Sequence, residues 1–180
     1  MQIEKTILEG VLIITPKVFQ DNRGYFYESF SNKDWEEAGL DNNFVQDNQS
    51  LSGKGILRGL HFQAPPFAQG KLVRVIKGSV LDVAVDIRKD SPTYGKHVAM
   101  ELSETNFKML WIPAGFAHGF LTLEDNTIFA YKCTDTYNKE SEGGLMWNDP
   151  EINIDWGIEN PILSSKDKDY LPLQEFASPF

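Results

Sequence analysis

Cysteine is nearly absent. Cys133 stands alone, so the chain can form no internal disulfide and carries no CxxC metal or redox motif. That fits a reducing compartment, and the expectation is a cytoplasmic protein. Long apolar runs are missing too. None approaches the length that spans a bilayer, and the N-terminus "MQIEKTILEGVLI" lacks the basic stretch, apolar core and cleavage site of a signal peptide. No membrane partner is expected. Positive charge is scarce: 17 Lys and Arg stand against 26 Asp and Glu, a formal net charge of −9. Nucleic acid is thereby disfavoured as a main partner, because a phosphate backbone needs a basic face. A small anionic ligand needs only a local cluster of cations, and Arg23, Arg58, Lys71 and Arg74 all fall in the N-terminal half.

Helix signals are sparse as well. The stretch "SNKDWEEAG" offers a capping Ser, apolar Trp and Ala positions and a closing Gly, and it predicts one short helix. Most of the remainder reads as short β-type runs separated by Gly, Pro, Asn and Asp. "VLIITPKVF" and "GYFYESF" flank the turn "DNRG"; "KLVRVIKGSVLDVAVDIR" is two runs joined at "KG". In the second of these Leu81, Val83, Val85 and Ile87 alternate with Asp82, Ala84, Asp86 and Arg88, the period of a half-buried strand. "HVAMELS", "FKMLWIP", "HGFLTL" and "TIFAYKCTDTY" continue the series, and His97 falls at a solvent-facing position of its run. The tail after Pro161 is polar, with a last apolar group at Leu171, Leu173 and Phe176. At 180 residues the chain suits one domain with a substantial core. Many short antiparallel-type strands make it mainly all-β, a sandwich or a barrel. The element Pro113-x-Gly115-x-x-His118 resembles the second signature of the cupin superfamily, whose fold is a jelly-roll β-barrel. Pro ends one strand, Gly permits the turn, and the next strand begins with a side chain facing the barrel mouth.

Histidine is scarce as well: there are three. His61 lies in "RGLHFQ", between large apolar residues, and three readings compete for it. Many cupins bind a metal through HxH, a Glu and the histidine of the second signature, because residues i and i+2 of a strand face the same way. Here the matching place is His61-Phe62-Gln63, without the second histidine or a following Glu. His61 and His118 alone make a poor transition-metal site, so no metal is expected. A lone histidine in an apolar strand is more often a core residue with satisfied nitrogens. Yet Arg58 and Lys71 bracket His61, Gln63 shares its face and Gln69 precedes Lys71. That predicts a polar, convergent pocket wall, which a core avoids.

The ordered set "DNRGYFYESF", "FVQDNQS", "GILRGLHFQ", "AQGKLVRVIKGSVLDVAVDIRKDSPTYGKHV", "WIPAGFAHGF", "YKCTDTY", "EGGLMWNDPEINIDW" and "LSSKDK" closely resembles the dTDP-4-dehydrorhamnose 3,5-epimerase family from about Val11 to Asp167. The resemblance implies an epimerase with no cofactor and no metal, acting on a dTDP-4-keto-6-deoxy sugar. It implies His61 as base, Asp167 as the carboxylate that orients it, Tyr131 as acid, and Lys71 facing the C4 oxygen. Read alone, Asp167 is a solvated carboxylate in a charged tail, Tyr131 a core aromatic with a polar tip, and Lys71 a surface cation. Arg58 and His118 would complete the pocket around sugar and phosphates. The nucleotide end would comprise Arg23, Glu28, Gln46, Asp47, Asn48, Tyr137 stacked on the thymine, Glu142 and Lys166. Each of these, taken singly, also reads as a turn or surface polar residue. The family further implies one domain over residues 1–180, a homodimer whose N-terminal strand carries Arg23 and Glu28 to the partner's site, and a C-terminal tail packed on the barrel.

Three rivals stand beside this reading. A relative with the same dyad inverts only one centre of a related sugar. A catalytically silent cupin binds a sugar nucleotide but needs no base and acid, so joint retention of His61, Asp167, Tyr131 and Lys71 counts against it. A metal-dependent cupin oxygenase or isomerase is discouraged by the missing HxH.

Overall fold

Two antiparallel sheets face one another across an apolar interior in the computed structural model, which describes residues 1–40 and 43–180. The first sheet has six strands in the order β1 (Gln2–Lys5), β2 (Leu12–Thr15), β10 (Met109–Ile112), β7 (Lys71–Lys77), β12 (Thr127–Cys133) and β5 (Gln46–Ser52). The second has five, in the order β13 (Glu142–Gly144), β6 (Leu57–Gln63), β11 (Phe116–Thr122), β8 (Ser79–Asp86) and β9 (His97–Ser103). A separate hairpin, β3 (Phe19–Asp21) with β4 (Gly24–Phe26), turns at Asn22 and Arg23. This is the cupin-type jelly roll expected from the strand-rich sequence. Among the described residues two short α-helices accompany it, α1 (Asn32–Glu37) and α2 (Ser165–Lys168). Ser31 caps α1 by accepting from the Asp34 N–H, Trp35 is buried, and Gly39 follows in the left-handed region, as the sequence predicts.

Alternation along each strand builds three apolar layers rather than one. Inside the barrel, Val73, Val75, Val80, Ala84, Leu110, Phe116, Phe120 and Phe129 pack together. Outside the second sheet, Leu60, Phe62, Val83, Val85, Ala117 and Leu121 form another layer, closed by Leu145, Trp156 and the tail residues Leu173, Phe176 and Phe180. Outside the first sheet, Ile14, Leu72, Met109 and Trp111 meet Trp35, Phe30 and Phe44. The half-buried reading of β8 is corrected here. Asp82, Ala84 and Asp86 are fully buried, because the face opposite Val83 and Val85 looks into the barrel and not into water. The period-two signal separates two cores.

β6 departs from simple alternation, and the departure makes the site. His118 of β11 pairs with His61, but Phe120 pairs with Arg58, so β6 carries one extra residue against β11. Gly59 occupies this bulge at φ +146, and a Cβ there would lie 2.5 Å from Gly119 Cα. Only glycine permits that approach. The bulge resets the pleat, so Arg58 and His61, three apart in sequence, both line the barrel interior.

The C-terminal segment is fastened to the second sheet by backbone hydrogen bonds, Leu57 N–H to Ile162 C=O at 3.0 Å and Met146 N–H to Leu171 C=O at 3.0 Å. Asp149, itself buried, accepts from the N–H groups of Glu151, Ile152 and Leu173. Between these anchors α2 is held against β6. Ser164 caps it by accepting from the Asp167 N–H at 3.2 Å.

Candidate active site

One end of the barrel interior is a cavity of about 530 Å³, lined by Arg58, His61, Lys71, His118, Tyr131, Asn48, Lys166 and Asp167 among others. The volume lies in the range of small-molecule sites. Strand alternation explains the lining: Lys71 precedes inward Val73, Tyr131 lies between inward Phe129 and Cys133, and His118 lies between inward Phe116 and Phe120. Tyr131 and Lys71 belong to the first sheet, His61 and His118 to the second, so the cavity has different chemistry on its two walls.

His61 Nε2 stands 2.5 Å from Asp167 Oδ1. Burial works to raise the Asp167 carboxyl, but hydrogen bonds from His61 and Ser164 and the nearby Lys166 charge hold it below its ordinary value. The carboxylate is therefore ionised at neutral pH, and Nε2 carries the proton it accepts. Nδ1 is left as the basic nitrogen of a ring that is still partly open to the cavity. Burial pushes the Tyr131 hydroxyl up, helped by Cys133 and opposed by Arg58, so the phenol keeps its proton. Burial draws the Lys71 ammonium down, against the attraction of Cys133, Asp82 and Glu142. Its Nζ stands 5.9 Å from the centre of the Tyr131 ring. A base on one wall, and an acid and a lysine on the other, can remove and return a proton on opposite faces of a bound molecule.

The comparisons with known proteins agree with this chemistry. Residues 5–175 match the family model described as dTDP-4-dehydrorhamnose 3,5-epimerase. The enzyme of that name from Shigella flexneri is 56% identical over 168 residues, covering 93% of each chain. The chain belongs to that family. A Legionella pneumophila dTDP-6-deoxy-D-glucose-3,5-epimerase, solved with dTDP-4-keto-L-rhamnose, is 49% identical at a TM-score of 0.94, over 98% of this chain and 94% of that one. A 3'-monoepimerase from Streptomyces bikiniensis, solved with dTDP-quinovose, is 30% identical at a TM-score of 0.90, over 94% and 86%.

The remaining residues that the family resemblance singles out divide by place. Gln46, Tyr137, Glu142 and Lys166 form a chain of contacts beside the dyad: Tyr137 N–H donates to Gln46 Oε1 at 2.9 Å, Tyr137 OH to Glu142 Oε2 at 3.1 Å, and Glu142 pairs with Lys166. Gln46 in turn donates to Asn48 Oδ1 at 3.2 Å. The Tyr137 ring is more than half exposed. Asp47, between Gln46 and Asn48, points the other way and pairs with Lys132 at 3.0 Å, away from the cavity. Arg23 is exposed on the β3–β4 turn and pairs with Asp21; Glu28 lines a separate, smaller cavity beside Trp35. Neither reaches the cavity of its own chain.

Two expectations about the wall are corrected. Gln63 is buried and spans loops, donating to Phe67 C=O at 2.7 Å and accepting from Asn138 N–H at 2.7 Å. Gln69 donates to Asp135 C=O at 2.7 Å. Both clamp backbone beside the site instead of facing a ligand. His97 is half-buried, since β9 is covered from one side, and burial lowers its imidazole from the ordinary value. Among the described residues, no three His, Cys, Asp or Glu side chains are grouped to hold a metal ion, and no helix is long and apolar enough to cross a membrane.

The sequence reading missed Asp82. It is fully buried inside the barrel and holds His118, with Nε2 to Oδ2 at 3.0 Å, while Oδ1 has no partner among the described residues. The available signal was that its strand face also carries Val80 and Ala84, which no solvated face favours. Tyr170 was missed as well, and nothing in the polar tail marks it.

Proposed function

We propose that this chain is a dTDP-4-dehydrorhamnose 3,5-epimerase. It converts dTDP-4-dehydro-6-deoxy-D-glucose to dTDP-4-dehydro-L-rhamnose, within dTDP-L-rhamnose biosynthesis in the cytoplasm. The observation that carries the reading is the opposition of His61 and Tyr131 across one cavity, in a chain whose 3,5-epimerase relatives are about half identical to it. The C3 and C5 hydrogens of a 4-keto sugar are both acidified by the ketone. His61 Nδ1 removes one as a proton, with the Asp167 carboxylate stabilising the imidazolium. The enolate charge gathers on the C4 oxygen, opposite Lys71. Tyr131 returns a proton to the far face, which inverts the centre.

Arg58 and His118 contact the sugar and diphosphate end, Arg58 by the paired hydrogen bonds that guanidinium offers phosphate. Asn48, Tyr137, Glu142 and Lys166 hold the nucleotide, with Gln46 and Asp47 in the adjoining segment. The exposed hairpin with Phe19, Tyr25 and Phe26, and the distance of Arg23 and Glu28 from their own cavity, support a homodimer in which this hairpin completes the partner's site.

Incubation with dTDP-4-dehydro-6-deoxy-D-glucose in heavy water tests the reading. Enzyme-dependent deuterium at both C3 and C5, with a product that a 4-ketoreductase converts to the rhamnose sugar, is expected. Label at one carbon would make the chain a single-centre epimerase like its Streptomyces bikiniensis relative. In Tyr131→Phe, epimerisation should slow by about 10²-fold, more than deuterium exchange at the starting face. Equal losses would reduce Tyr131 to packing.

A further inference from the structure

Behind the His61–Asp167 pair stands an aromatic side chain that the mechanism does not use. The Tyr170 ring meets the His61 imidazole edge-on, with centroids 5.8 Å apart and planes at 67°. On its other side it lies over Gly144, which pairs with His61 across the β13–β6 ladder. A Cβ at Gly144 would fall 2.4 Å from Tyr170 Cε2 and Cζ and 2.6 Å from Leu60 C=O. The glycine thus leaves a slot that the ring fills. The Tyr170 hydroxyl is buried beside the Lys166 ammonium, which offsets part of the upward push that burial gives the phenol. Tyr170 follows Asp167 by three residues, immediately beyond α2, so one short segment delivers both the carboxylate that bonds the imidazole and the ring that abuts it.

We propose that Tyr170 is a positioning residue for His61: its ring, seated over Gly144, bars the imidazole from swinging off Asp167 and keeps water from their hydrogen bond. This rests on the reading of His61 as the base. The ring is the working part, since it is the ring that abuts the imidazole and fills the space over Gly144. A base displaced by a fraction of an ångström loses rate far more than ligand affinity, because of the nucleotide contacts only Lys166 adjoins Tyr170. Tyr170 does not line the cavity; its ring meets His61 and its hydroxyl adjoins Lys166, two routes that Tyr170→Phe separates.

The test combines kinetics with proton NMR, which three histidines make tractable. His61 and His118 each share an imidazole proton with a carboxylate, at 2.5 Å and 3.0 Å, and each should give a downfield resonance. Loss of one resonance in His61→Asn assigns it. In Tyr170→Leu the His61 resonance should broaden or vanish through water exchange, while the His118 resonance persists and reports an intact barrel. kcat should fall about tenfold or more with KM nearly unchanged. Tyr170→Phe should restore both the resonance and most of the rate.

An unchanged His61 resonance and rate in Tyr170→Leu would overturn the proposal. Tyr170→Phe as impaired as Tyr170→Leu would also overturn it, by assigning the effect to the hydroxyl. Should His61→Ala retain turnover, the base assignment would fall instead, while the resonance would still report whether Tyr170 guards the pair.

Discussion

Two histidine–carboxylate pairs lie side by side in this barrel, and they are built differently. His61 and His118 face each other across the β6–β11 ladder. His118 takes its carboxylate from Asp82 on the neighbouring strand, and both side chains are almost wholly enclosed. His61 takes its carboxylate from α2, in the C-terminal segment 106 residues away, and its ring stays 29% exposed to the cavity. A base must reach its substrate and change charge in each cycle, so it needs an open edge and a partner that tolerates the imidazolium. A fixed donor changes no charge, and the narrow edge of His118 that lines the cavity suffices for a contact. On the proposed reading, exposure and the origin of the partner assign chemistry of the same type to different tasks.

Breaking the open pair should have the largest effect. His61→Ala is expected to lower turnover by about 10³- to 10⁴-fold with dTDP affinity largely intact, as steady-state kinetics and calorimetric titration would show. Near-normal exchange would move the base elsewhere. Asp167→Asn keeps the shape but removes the charge that supports the imidazolium. Its kcat should fall about 10²-fold, and the pH–rate profile should change with it. Breaking the closed pair should act on the fold before the chemistry. Asp82→Ala leaves the His118 imidazole buried without its partner, and about 1–3 kcal/mol of stability should be lost, read as a lowered denaturation midpoint. A rate loss matching that of Asp167→Asn, at full stability, would erase the distinction.

Legibility in the sequence followed the same division. The strands, the short helix at Asn32–Glu37 and the turn at Gly115 were readable, because each has local chemistry that repeats along the chain. β1, β5 and β13 are not legible: β1 and β13 are short, and β5 is polar apart from Leu51, with Asp, Asn and Ser that announce turns. The site was legible only in part. Simple alternation sets Arg58 and His61 on opposite faces, and only the bulge at Gly59 reunites them. A glycine inside a strand pattern was the available hint. Asp167 could be identified only through the family resemblance, since its partner is distant in sequence and its neighbours read as solvated charge. Asp82 escaped because its strand was taken to have one wet face.

Acid provides the gentlest way to sharpen the contrast. Asp167 is held below its ordinary value, so the stability it contributes is complete above the usual carboxylate range and is lost as pH falls through its folded value. Asp86, fully buried at the end of β8, serves as a structural standard. Burial raises its carboxyl, but hydrogen bonds from Arg88, Ser91 and Thr93 outweigh this and bring it down to about 2. By the same sign it contributes roughly 2 kcal/mol above about pH 4, lost progressively as pH approaches 2. Melting temperature against pH should therefore drop less steeply between pH 4 and 2 in Asp86→Asn than in the parent, on the order set by that linkage.

The most direct test of the central claim compares the two histidines in heavy water. With dTDP-4-dehydro-6-deoxy-D-glucose, deuterium uptake at C3 and C5 is followed by NMR for the parent, His61→Asn and His118→Asn. The account predicts no enzyme-dependent label in His61→Asn, and label at both carbons, more slowly than in the parent, in His118→Asn. Label persisting in His61→Asn while vanishing in a folded His118→Asn would contradict it, and would make the enclosed pair the base.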